Sequence, residues 1–137
     1  MTPRGIRNNN PGNIRISGDD WLGLSPTQPD PEFFTFSDPV YGLRAMAKIL
    51  LKYQRKYGLK TVAQMISRWA PPGENDTESY VLAVAKAIGV DPDQPIDLTT
   101  APAHFADVID AIVFHENGQN PYNDGVVMRA VRMVLAN

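Results

Sequence analysis

The most regular pattern in the chain runs from Val40 to Tyr57. Val40, Leu43, Met46, Ile49, Leu50, Tyr53 and Tyr57 recur at the spacing of one helical face. Asp38 suits the N-cap, Pro39 the first helical position and Gly58 the stop, so the spacing predicts a core helix over 39–57. Arg44, Lys48, Lys52, Arg55 and Lys56 fill the remaining faces; such a basic helix suits a nucleic-acid contact, but a solvated surface fits it better. A shorter stripe of Val62, Met65, Ile66 and Trp69 predicts a helix over about 61–69, running into a stiff polar loop at 70–76. Tyr80, Val81, Val84, Ala85 and Ile88 predict another, capped by Asp76 or Thr77 and stopped by Gly89. Residues 90–101 read as a linker, with Thr99 or Thr100 capping the helix that follows. After a break at 118–121, Asp124 caps a last helix with Val127, Ala130, Val131 and Val134 inward.

Before residue 38 the helical period is lost. Asn8-Asn9-Asn10-Pro11-Gly12-Asn13 joins residue types that favour turns and left-handed backbone, and simple turn chemistry accounts for the run. Ile14-Arg15-Ile16 alternates like a short strand, and Glu32-Phe33-Phe34-Thr35-Phe36 is a second strand candidate. Together these predict a small antiparallel hairpin or ribbon over a helical body. The expected architecture is therefore α+β, mostly α: a single domain over 1–137, with a turn-rich β element at 1–37 and a helical body at 38–137.

One helix carries a residue that does not suit its place. Phe105, Ile109, Ile112 and Val113 form a buried stripe, and the next step of that stripe is Glu116. Gly118 and Pro121 end the helix there, which puts a carboxylate in the last turn, against the unfavourable end of the helix dipole. On an inward face, partial burial would raise its pKa, and a carboxylic acid kept protonated near neutral pH is what general-acid chemistry on a glycosidic bond requires. The same spacing also fits a helix-end glutamate that turns to solvent. Near the 70–76 loop, Glu74, Asn75 and Tyr80 would line a sugar cleft, while Glu74 equally suits a helix N-terminus.

Composition narrows the field. The 137 residues are 43% hydrophobic and 20% charged, ordinary values for a globular domain of this length. A net charge of −2 supplies no overall positive field, so nucleic acid is not an expected partner. Without cysteine there is neither a disulfide nor a thiolate metal site, and His104 and His115 stand too far apart for a ligand pair, so no metal and no cofactor are expected. No segment approaches the ~18 apolar residues of a membrane span. The first ten residues hold no apolar leader, so the expectation is synthesis in a bacterial cytoplasm without a signal peptide and no membrane insertion. No Gly-x-Ser-x-Gly or phosphate-cradling loop is present. Carboxylates remain the candidate chemistry.

Arg4-Gly5-Ile6-Arg7-Asn8-Asn9-Asn10-Pro11-Gly12-Asn13-Ile14-Arg15 resembles the opening of phage and prophage virion proteins described as lysozyme-like or transglycosylase-like. The resemblance extends through Phe34-Thr35-Phe36, Tyr41-Gly42-Leu43-Arg44-Ala45, Trp69-Ala70-Pro71, Glu74-Asn75-Asp76-Thr77 and His115-Glu116-Asn117-Gly118, and so covers most of the chain. More distantly, the segments 9–14 and 33–36 are similar to the parts that follow the catalytic helix in flagellar-type glucosaminidases. Glu116-Asn117-Gly118-Gln119-Asn120-Pro121 is similar to the end of the catalytic helix in soluble lytic transglycosylases, with Asn117 where serine is usual and no Gly-Leu-Met-Gln segment after it. These resemblances imply a circularly permuted lysozyme-like fold, its catalytic helix moved to the end of the chain. They imply peptidoglycan glycan strands as substrate and other virion proteins as partners, with the cell wall or periplasm as the site of action. Glu116 would be the general acid, and the same carboxylate would then act as base in a transglycosylase. Glu74 is the second carboxylate if the enzyme is a hydrolase, and Tyr80, Asn75, Asn10 and Asn13 would contact sugar or orient Glu116. The rival expectation is a non-catalytic virion structural or wall-binding module.

Overall fold

The computed structural model describes residues 2–136, and these are mostly helical. Six helices follow in order: α1 (Arg4–Arg7), α2 (Pro39–Tyr57), α3 (Val62–Trp69), α4 (Thr77–Ile88), α5 (Pro102–Asn117) and α6 (Asp124–Leu135). Five of them are the helices that the apolar spacing predicts. The single turn of α1 is too short to show a period and lies in a stretch read as irregular.

Local chemistry sets most of the ends. Asp38 accepts the Val40 N–H at the start of α2, and Gly58 closes it in the left-handed conformation. Thr61 and Gln64 form a reciprocal capping box on α3, and Asp76 rather than Thr77 caps α4 through the Ser79 N–H. Two caps differ from expectation. Asn123, not Asp124, caps α6, accepting the Val126 N–H. The start of α5 has no side-chain cap; Pro102 at its first position needs none for its missing N–H, and Thr99 and Thr100 turn back to Asp97 instead.

The predicted hairpin does not form as paired strands. Among the described residues there is no named strand, only isolated bridges: Arg15 with Phe33 and Leu24 with Phe36, both antiparallel, and Pro72 with Asn75 in a later loop. The two candidate segments do lie side by side, through Ile16 N–H to the Glu32 carbonyl and Phe34 N–H to the Ile14 carbonyl. The reason the ladder stops is that asparagine side chains take over its partners. Asn10 Nδ2 donates to the carbonyls of Ile14 and Phe34 while its Oδ1 accepts the Ile14 N–H, and Asn9 Nδ2 donates to the Phe36 carbonyl.

The main core fills the space between helices. α2 packs on α6, α6 on α5, α5 on α4 and α4 on α3. Leu43, Met46 and Leu50 from α2 meet Met65 and Ile66 from α3 and Phe105, Ile109 and Ile112 from α5, all fully buried. A smaller cluster, Phe34, Phe36 and Ala45, seats the N-terminal segment on α2. The 90–101 stretch is more than a linker. Ile96 and Leu98 are buried in the core, and the Gln54 amide clamps both, donating to the Ile96 carbonyl and accepting the Leu98 N–H. Tyr57, expected on the buried face of α2, is 40% exposed at the last position of the helix, with the Arg68 guanidinium over its ring. No helix among the described residues is long and apolar enough to cross a membrane.

Candidate active site around Glu116

The asparagine-rich turn and the end of α5 build one site. Arg4 forms a two-pronged ion pair with Asp30, its Nε and one terminal nitrogen each 2.6 Å from a carboxylate oxygen. Asp30 is buried and also accepts from Asn8 Nδ2 and from the N–H groups of Glu32 and Phe33. The Arg4 guanidinium, with these backbone and amide donors, holds the Asp30 carboxyl far below the usual carboxylate range against the opposing effect of burial. This knot ties the 30–36 segment to residues 4–10. Asn9 and Asn13 then turn the chain with φ of 52° and 51°, left-handed positions that asparagine tolerates.

That turn is pressed onto the C-terminal end of α5. Asn117 Nδ2 donates to the Pro11 carbonyl at 2.8 Å and to the Val113 carbonyl at 2.9 Å. Gly5 permits the approach: a Cβ there would lie 2.6 Å from Asn117 Oδ1, 2.8 Å from Asn13 Oδ1 and 2.9 Å from the Asn10 carbonyl.

Glu116 is half-buried at the centre of this junction. Asn13 Nδ2 donates to Oε1 at 3.0 Å and the Tyr80 hydroxyl donates to Oε2 at 2.8 Å. The Tyr80 ring is buried and stacks on His115, centroids 3.8 Å apart and planes 27° from parallel. Burial, and then the adjacent Glu116 carboxylate, push the Tyr80 phenol far above the ordinary tyrosine range, so it stays a proton-bearing donor at neutral pH. Each carboxylate oxygen thus has its own donor, on opposite sides, and the carboxyl group cannot rotate freely. The Asn13 amide nitrogen can only donate to Oε1, whereas the Tyr80 hydroxyl, which donates to Oε2, is able both to donate and to accept.

Of the residues singled out from the sequence, the structure brings together Asn13, Tyr80 and Glu116. Asn10 is not available to a ligand: it is 0% exposed, and its side chain is spent on backbone groups of residues 14 and 34. Asn75 is exposed and donates back to the Pro71 carbonyl within its own loop. Glu74 is exposed on that loop and is not among the hydrogen-bond partners of Glu116, which are Asn13 and Tyr80. Sequence spacing passed over Asn117, Asp30 and Arg4. Their partners are distant in the chain, so only the repeated asparagines hinted at a structural demand.

No family model matches the chain. Protein P5 of Pseudoalteromonas phage PM2 is 46% identical over 122 residues, a match spanning 87% of this chain and 74% of that protein. The chain belongs to the family of phage proteins that includes this Protein P5.

Proposed function

We propose that this protein cleaves peptidoglycan glycan strands, as a lytic transglycosylase with Glu116 as its one general acid and base, on a circularly permuted lysozyme-like fold. The observation that carries the reading is the clamped carboxyl group at the end of α5, held by Asn13 on one oxygen and Tyr80 on the other. In the first half of the reaction, Glu116 Oε2 delivers its proton to the glycosidic oxygen and the bond to the anomeric carbon breaks. In the second half, the resulting carboxylate takes the proton of the sugar's own 6-hydroxyl as that oxygen attacks the anomeric carbon. The product is a 1,6-anhydro sugar and no water is consumed. Both halves use one carboxylate, which suits a site where Glu74 lies outside the cluster. The Asn13 and Tyr80 donors hold the carboxyl group in one orientation through both halves.

A non-catalytic virion module is the second reading, and the same hydrogen bonds support it, because they also lock the 8–13 turn to α4 and α5. Purified peptidoglycan treated with wild type and with Glu116→Gln separates the two. Glutamine fits the same space and can still pair with Tyr80, so a folded variant is expected, within about 1 kcal/mol of wild type. Soluble muropeptides lighter than hydrolysis products by one water, made by wild type and absent with the variant, support the transglycosylase. Wall binding by both proteins, with no release from either, favours the module.

A further inference from the structure

A groove of about 1160 Å³ lies between the 14–24 segment and the outer face of α2, with Arg68 of α3 in its wall. It lies outside the Glu116 cluster. Six of the chain's 13 Lys and Arg residues line it (Arg15, Arg44, Lys48, Lys52, Arg55 and Arg68), against two of its 15 acidic residues, Asp19 and Asp20. Net charge is a sum over the whole chain and hides this clustering. Arg15 pairs with Glu32 at 3.5 Å, but among the described residues Arg44, Lys48, Lys52 and Arg55 have no carboxylate partner. Arg44, Lys48 and Lys52 stand four residues apart, so they repeat about every 6 Å along one face of α2.

Aromatic groups share the same walls. Tyr53, Tyr57 and Trp21 line the groove, and the Arg68 guanidinium sits 3.9 Å from the Tyr57 ring centroid and 5.6 Å from that of Tyr53. Trp21 packs its ring partly on the Phe34 and Phe36 cluster, and its Nε1–H, buried there, has no hydrogen-bond acceptor within the protein. We propose that this groove binds single-stranded nucleic acid. The row of uncompensated cations follows the phosphates, whose condensed counterions are released on contact. The tyrosine and tryptophan rings and the Arg68 plane offer faces on which bases stack. Carboxylates of an acidic polypeptide such as polyglutamate would satisfy the cations and leave the rings unused, and stacking requires unpaired bases, which a duplex does not present.

Fluorescence anisotropy of a labelled 15-mer of oligo(dT), over a series from 25 to 200 mM NaCl, tests this. Saturable binding is expected, with log K falling against log salt by ~0.7 per phosphate contacted, a slope of about −2 for three contacts. Lys48 and Lys52 are exposed, so Lys48→Glu/Lys52→Glu keeps the fold, as circular dichroism will verify, and weakens binding at least ~100-fold. Tyr57→Ala is expected to weaken it about tenfold with the salt slope unchanged. Glu116→Gln leaves it untouched, which keeps this proposal separate from the glycan reading. Absence of binding at 25 mM salt, binding indifferent to the double charge reversal, equal affinity for polyglutamate, or tighter binding of a duplex would each overturn it.

Discussion

Asn13 and Glu116 are 103 positions apart, and the 3.0 Å hydrogen bond between them joins the asparagine turn to the last turn of α5. The bond depends on two separate properties of Asn13. Its backbone holds a left-handed φ of 51°, and its amide reaches the carboxylate. Glycine and alanine at this position separate the two. Asn13→Ala loses the amide and strains the backbone, at a cost of roughly 1–2 kcal/mol for the left-handed conformation alone. Asn13→Gly loses only the amide. Urea unfolding is expected to place Asn13→Gly above Asn13→Ala by about 1 kcal/mol, while muropeptide release falls equally in both. A difference in release between them would show that the backbone, and not the amide, governs Glu116.

Tyr80→Phe removes the second donor without changing the packing on His115. Hydrogen bonds to charged groups contribute ~1.5–3 kcal/mol, and half-exposure of Glu116 lets water replace part of that. A stability loss near 1 kcal/mol by chemical denaturation is expected, with a fall in muropeptide release of at least about tenfold. Unchanged release would remove Tyr80 from the site.

Gly5→Ala tests the junction through the two asparagines it abuts, Asn13 and Asn117. The new methyl group meets three oxygens within 2.9 Å, two of them side-chain oxygens of Asn13 and Asn117. Overpacking of this kind costs ~1–3 kcal/mol, more than the helix-propensity gain from alanine in a single turn. A lowered melting temperature is expected, together with partial loss of release, because both asparagines must move.

The Asp30 knot makes an acid-sensitive joint. Its carboxyl pKa is depressed in the folded protein, chiefly by Arg4, so the stability it contributes is present above the unfolded value near 3.9 and is lost as pH falls below that toward the folded value. Asp76 and Asp97, lowered by hydrogen bonds from Ser79 and Thr99, act in the same direction. Melting temperature measured from pH 7 to pH 2.5 is expected to drop below about pH 4 in wild type. Asp30→Asn should start lower at pH 7 and fall less steeply. Parallel curves would mean that Asp30 does not carry the acid transition.

The sequence by itself determined the five longer helices of this protein and most of their ends. Apolar period, caps such as Asp38 and stops such as Gly58 and Gly89 act over a few residues, so the information needed to read them sits beside them in the chain. It also determined that a carboxylate, Glu116, falls in the last turn of α5, since the stripe from Phe105 leads there. Whether that carboxylate faced solvent or a partner was settled by tertiary structure, because Asn13 and Tyr80 come to it from two other parts of the chain. The same holds for the 8–13 turn. Its residue types announce left-handed backbone, yet only the folded chain reveals that Asn9 and Asn10 replace a strand ladder and that Asp30 gathers four donors, Asn8 among them. Net charge, a sum with no positions in it, likewise said nothing of the cations that α2 and the 14–24 segment align along one groove. Hydrogen bonds and electrostatic fields join groups by distance in space, and a local period carries no record of that distance.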